Sequence, residues 1–128
     1  MRRSLILVGM TGLVAQVLML RELAVALHGN ELVFGATLAG WLLLAAVGSG
    51  GLGRLADRLR RPQGVFVGGM AALGMLAPLS VAGVRLGGAA LFGPPEVMAP
   101  PGRALLGAAA ALGPLALSVG FLFAVACR

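Results

Sequence analysis

The sequence predicts an all-α integral membrane protein with four transmembrane helices. Of its 128 residues, 59% are hydrophobic and only 11% are charged, whereas soluble domains carry about 25% charged residues. The mean hydropathy is +1.01. Four apolar runs come close to or exceed the roughly 20 residues that cross a bilayer as a helix. None of these runs alternates polar and apolar residues as a barrel strand does, so helices are predicted.

The predicted spans cover residues 4–27, 32–52, 64–84 and 104–126, which together form a single membrane domain over residues 1–128. The short polar turn "HGNE" joins the first two spans and suits a helical hairpin. A charged cytosolic loop is predicted at residues 53–63. The segment 85–103 is predicted as an outer loop, because its four prolines prevent a regular helix through its middle.

The placement of the arginines predicts the topology. All ten basic residues are arginine, and they sit mostly between the apolar runs. Only Arg85 and Arg103 fall on the side of the proline-rich loop. On the other side are Arg2, Arg3, Arg54, Arg58, Arg60, Arg61 and Arg128. Because arginine is enriched on the cytoplasmic side, both termini are expected in the cytoplasm and the protein in the inner membrane.

The stretch "GSGGLG" from Gly48 to Gly53 fits the glycine pattern of a dinucleotide-binding turn. That turn requires a preceding strand, and an acidic residue about 20 positions further on. Here an apolar span precedes Gly48, and no acid lies between Asp57 and Glu96, so no cofactor is predicted. The glycines are expected to let a neighbouring helix approach closely. The alternative is the general abundance of glycine in membrane helices. Ala36 with Gly40 and Gly64 with Gly68 offer similar small faces.

Gln16, Arg21 and Glu22 are the candidate polar cluster inside the membrane. Arg21 and Glu22 are the charges that lie well inside an apolar run, one to two turns from the end of the first span. Neighbouring positions on a helix point about 100° apart, so each side chain is expected to seek a partner on another helix or water. The cluster is interpreted either as a contact between helices or as part of a solute site.

Other kinds of site have little support in the sequence. His28 stands alone in the first turn and Cys127 is the single cysteine, so no metal site is predicted. The serines have no histidine at a usable spacing, so no catalytic residue is assigned. The arginines do not alternate with aromatic residues on one face, so nucleic acid is not an expected partner. The expected partners are the lipid bilayer and other membrane helices.

The loop "GRLADRLRR" resembles the loop between the second and third helices of major-facilitator transporters. The resemblance implies that Asp57 is the acid of a conformational latch, with Arg58 and Arg61 as its partners. The residues alone support a plainer interpretation. One acid among four arginines lowers their repulsion, and the arginines keep the loop near anionic lipid.

The segment from "TGLVAQVLMLREL" through "GNEL", "LAGWLL" and "GSGGLGRLADR" resembles the start of spermidine synthase-like integral membrane proteins. In that family a multi-helix, major-facilitator-like membrane region is fused to a cytosolic aminopropyltransferase domain. The nucleotide turn and catalytic aspartate of that domain have no match here. The resemblance therefore implies a membrane anchor or assembly module without its own active site.

Two alternatives stay open. The chain could be a transport-related fragment of a major-facilitator-like protein, although four helices are too few for an alternating-access path built from paired repeats. It could also be the membrane part of a polyamine aminopropyltransferase whose catalytic domain lies downstream of Arg128.

Overall fold

The computed structural model describes residues 2–27, 31–56, 62–93 and 100–127, and these residues form helices and no strand. The helices are α1 (Arg2–Ala26), α2 (Glu31–Gly50), α3 (Gly53–Ala56), α4 (Pro62–Phe92) and α5 (Pro101–Ala126). The predicted all-α class is confirmed. Three helical segments are long and apolar enough to cross a membrane, namely Arg3–Ala26, Gln63–Phe92 and Pro101–Ala126. The apolar part of α2 is shorter, Phe34–Gly50, and four spans remain a prediction.

Helix α4 differs from the sequence-based expectation at its C-terminal end. It continues to Phe92, so residues 85–92, predicted to belong to an outer loop, are helical. The physical reason is that "RLGGAALF" contains no proline and stays apolar after Arg85. The helix ends at Gly93, whose φ of 100° is accessible to glycine at little cost. The Gly93 N–H donates a hydrogen bond to the Ala89 carbonyl oxygen at 3.0 Å.

Helix α3 occupies the first four residues of the predicted cytosolic loop, so the start of that loop is helical. Pro78 and Pro114 both lie inside long helices, α4 and α5. Beside the second proline, the Ser118 hydroxyl donates a 2.6 Å hydrogen bond to the Pro114 carbonyl oxygen. That bond links two successive turns of α5.

Helix α5 is the centre of the bundle, since it packs against α1, α2, α3 and α4. Its fully buried side chains include Leu112, Leu115 and Leu122. Trp41, the single tryptophan, is 4% exposed and belongs to the same core. The large side chains of the core come from all four long helices: Val8, Met19, Leu23, Trp41, Leu73, Phe92, Leu112, Leu115 and Leu122.

The outer surface of the bundle is apolar. Large hydrophobic side chains point outward from each long helix, including Leu86 at 88% exposed and Met75 at 71% exposed. Soluble monomers rarely expose contiguous apolar patches larger than a few hundred Å². An exterior of this kind is suited to contact with acyl chains or with other apolar helices.

Candidate functional site

An ion pair with two hydrogen bonds joins α1 to α4. The Arg85 guanidinium donates two hydrogen bonds to the Glu22 carboxylate, from Nε to Oε2 at 2.8 Å and from Nη2 to Oε1 at 2.6 Å. The Glu22 side chain is 16% exposed, whereas that of Arg85 is 66% exposed. This two-point geometry is the strongest form of a guanidinium–carboxylate contact. It pairs two charges that would each be costly in an apolar environment.

The pairing changes the composition of the predicted polar cluster. Glu22 meets a partner on another helix, as its position on α1 predicts, and that partner is Arg85. Among the described residues, neither Gln16 nor Arg21 hydrogen-bonds to Glu22. Gln16 is half-buried and Arg21 is exposed. Whether the three residues form a solute site stays a prediction.

Sequence reasoning missed Arg85 because it assigned this residue to the outer loop. One signal was available, since residues 86–92 form an apolar, proline-free run that can extend the helix. Glu22 lies near the C-terminal end of α1, and Arg85 lies in the C-terminal third of α4. The two helices therefore run in the same direction, and the ion pair holds their corresponding ends together.

Arg103 is the second arginine that makes a defined contact at this end of the bundle. Its Nη2 donates a 3.1 Å hydrogen bond to the Ala90 carbonyl oxygen in the last turn of α4. Carbonyls in the last helical turn lack partners within the helix, and a cation there also opposes the negative end of the helix dipole. Arg103 therefore joins the start of α5 to the end of α4.

In the glycine-rich stretch after Val47, Gly48 lies at a close backbone contact with another helix, whereas Gly50 has no neighbour within 4 Å of its Cβ position among the described residues. A Cβ atom at Gly48 would collide with the Leu117 carbonyl oxygen and lie 3.0 Å from the Leu117 Cα. At Gly120 a Cβ atom would collide with the Ala45 carbonyl oxygen and lie 2.9 Å from the Ser49 nitrogen. The α2 and α5 backbones are thus in direct contact at two glycines, one contributed by each helix.

The glycines of the other predicted small-residue faces have no such contact with the part of the chain that the structure describes. A Cβ atom at Gly40, Gly64 or Gly68 would meet no described heavy atom within 4 Å. The spacing of small residues therefore predicted close packing correctly at Gly48 and did not identify a close approach at these three positions.

A cleft of about 250 Å³ lies between the second half of α1 and the first half of α2. Its α1 wall consists of side chains spaced by three or four residues: Leu20, Leu23, Ala24 and Leu27. The α2 wall consists of Glu31, Phe34 and Thr37. Glu31 is exposed in the first turn of α2, and Thr37 is 3% exposed. The cleft is apolar, with an acid at one end and a hydroxyl at the other.

The candidate latch residues Asp57, Arg58 and Arg61 lie outside the described residues, as do His28 and residues 94–99. The latch therefore stays a prediction. Within the described residues, no three histidine, cysteine, aspartate or glutamate side chains are grouped to hold a metal ion. The Cys127 side chain is exposed at the end of α5, and the described structure shows it as a free thiol.

No family model matches the chain, and no curated protein or solved structure matches it either.

Proposed function

We propose that this chain is a multi-pass inner-membrane protein that acts as an anchor or assembly module for other membrane helices. The observation that carries this proposal is the apolar exterior around a closely packed interior. Large hydrophobic side chains face outward on all four long helices. At Gly48 and Gly120 the interior is filled by direct backbone contact, which leaves no room there for a solute path.

Helix α4 supports the assembly role. It is the longest of the described helices, with 31 residues, and only 6% of the residues in its most apolar part are buried. Several of its glycines have no neighbour among the described residues within 4 Å of a Cβ position: Gly64, Gly68, Gly74, Gly83, Gly87 and Gly88. Small residues let a second helix approach closely in a membrane, where close contact is a main source of association.

Four crossings with both termini in the cytoplasm belong to the same proposal. The direction of the helices supports it, because Glu22 and Arg85 bring the C-terminal parts of α1 and α4 together. When successive helices cross a membrane in alternating directions, the first and the third run in the same direction. Helices α1 and α4, with the apolar helix α2 between them in the sequence, fit this expectation. The arginine asymmetry supports the cytoplasmic placement of the termini.

The likeness to the membrane region of spermidine synthase-like proteins is part of the proposal and carries no catalytic claim. Under this proposal, any polyamine chemistry would belong to a separate domain or protein. The purified chain, supplied with decarboxylated S-adenosylmethionine and putrescine, is expected to form no spermidine. Measurable spermidine formation would contradict the proposed role as an anchor.

Topology reporters test the membrane proposal most directly. Membranes from cells producing the chain are washed with alkaline carbonate, and the chain is expected to stay in the membrane fraction until detergent is added. Alkaline phosphatase is expected to be inactive when fused after Arg128 and active when fused after Gly93. Green fluorescent protein is expected to give the opposite result. Activity of the phosphatase after Arg128, or release by carbonate, would overturn the proposal.

A further inference from the structure

The cleft between α1 and α2 has the form of a site for one lipid chain. The α1 wall runs from Leu20 to Leu27, a length of about 10 Å along a helix. One leaflet of the hydrocarbon core is about 15 Å thick. The cleft begins near the ends of both helices, beside Glu31, so it extends through most of one leaflet. Its volume of about 250 Å³ equals that of roughly eight water molecules, and suits part of one acyl chain.

The negative charge of Glu31 at the mouth of the cleft favours a lipid whose headgroup carries a positive charge. Glu31 is exposed and forms neither an ion pair nor a hydrogen bond through its carboxylate within the described residues. A carboxylate at this position can accept hydrogen bonds from an ammonium group at the level of the lipid headgroups. Such charge-assisted bonds are stronger than bonds between neutral groups.

The surrounding arginines restrict the choice further. The charge of Arg85 is already compensated by Glu22, but Arg21 and Arg103 lie towards the same end of the bundle, and both are exposed. A purely cationic amphiphile would be repelled by them, whereas a headgroup with both a phosphate and a primary ammonium is neutral overall. We propose that the cleft binds a phosphatidylethanolamine-type lipid, with one acyl chain along α1 and α2 and the ammonium group on Glu31. This inference rests on the proposed membrane location.

Native mass spectrometry of the detergent-purified chain tests the site. The chain is offered lipids with identical acyl chains whose headgroup nitrogen carries none, one, two or three methyl groups. Retention is expected to fall as N–H donors are removed, by about tenfold from the unmethylated to the fully methylated lipid, as is typical of hydrogen bonds to charged groups. Equal retention across the methylated series by the unaltered chain would overturn the inference.

Two substitutions distinguish binding of the lipid headgroup from binding of the acyl chain. Glu31→Gln is expected to abolish the preference for the unmethylated lipid, while Glu96→Gln, which removes the same charge at another position of the sequence, is expected to keep it. Ala24→Phe fills the cleft and is expected to reduce retention of every lipid in the series. Preserved preference in Glu31→Gln would contradict the assignment of the ammonium to this carboxylate.

A failure of the inferred lipid site can be distinguished from a failure of the proposed membrane location. A chain that resists carbonate extraction but shows no headgroup preference contradicts only the lipid site. A chain that carbonate releases contradicts the proposed function, and the lipid site with it.

Discussion

Helices α5 and α4 both pack inside the same small bundle, but they do so by different means. In the most apolar part of α5, 44% of the residues are buried, against 6% in α4. Helix α5 meets α2 through backbone contact at Gly48 and Gly120. Helix α4 is joined to its neighbours mainly through side chains, among them the Glu22–Arg85 ion pair and the Arg103 contact with Ala90. Its backbone approaches α5 at Gly107, whose Cβ position lies 3.2 Å from the Leu91 carbonyl oxygen.

The comparison shows that glycine content alone does not predict a tight interface. Helix α4 contains more glycines than any other described helix, yet most of them have open space where a Cβ atom would stand. A glycine matters for packing only where atoms of another helix fill that space, and it matters most where those atoms belong to a backbone. Substitutions at these glycines and at the Glu22–Arg85 ion pair test this distinction, from the largest expected effect to the smallest.

Gly120→Ala is expected to produce the largest loss of stability. The added methyl group would collide with the backbone of α2 at Ala45 and Ser49, and a backbone cannot move aside as a side chain can. Overpacking of this kind costs about 1–3 kcal/mol. The measurement is the free energy of unfolding in mixed micelles titrated with sodium dodecyl sulfate, followed by the fluorescence of Trp41, the single tryptophan.

Gly74→Ala is the matched control for this change, because no atom lies within 4 Å of its Cβ position. It is expected to be neutral or to stabilise the helix by about 0.5–1 kcal/mol through the higher helix propensity of alanine. If both substitutions changed the free energy of unfolding equally, the distinction between the α2–α5 contact and the open face of α4 would be wrong.

Glu22→Gln is expected to have a smaller effect than Gly120→Ala and to act on the α1–α4 contact. The substitution removes the charge that accepts both hydrogen bonds from Arg85. A large part of the Arg85 side chain is exposed, and it can turn toward lipid headgroups or water instead. The expected readout is a lower free energy of unfolding in the same titration.

A double-mutant cycle measures the interaction energy between Glu22 and Arg85. Arg85→Gln alone is expected to destabilise the protein, and the combination with Glu22→Gln is expected to cost less than the sum of the two single changes. The exchanged pair Glu22→Arg with Arg85→Glu should recover part of the loss. Strict additivity of the two single changes would show that the side chains do not interact in the membrane environment.

Gly69→Ala is expected to cause the smallest loss in the free energy of unfolding. It tests whether a glycine of α4 that faces a side chain differs from one that faces open space. An added Cβ atom would collide with the Leu122 Cδ2 and lie 3.3 Å from its Cγ. These atoms belong to a flexible side chain, which can rotate at a cost of about 1 kcal/mol. Gly68→Ala, one residue earlier and without a neighbour within 4 Å, is the control. A loss for Gly69→Ala as large as that for Gly120→Ala would show that Leu122 is held as firmly as a backbone.

Particular residues show how much of the site was accessible to sequence reasoning. Glu22 could be assigned either a partner on another helix or contact with water, because an acid inside an apolar run is costly without one of them. Arg85 could not be identified as that partner, since its place in the sequence also fitted a loop that begins after Val84. Asp57, Arg58 and Arg61 lie outside the described residues and stay candidates for a latch.

The sequence by itself determined the all-α class, the apolar exterior and the approximate positions of the long helices. These properties follow from local composition and from the period of the backbone hydrogen bonds, which each segment satisfies on its own. Only the tertiary structure decided that α5 lies at the centre, that Gly48 and Gly120 meet a neighbouring backbone, and that Glu22 pairs with Arg85. Those contacts join residues more than 60 positions apart, and pairing over such distances depends on how whole helices pack, which no local pattern records.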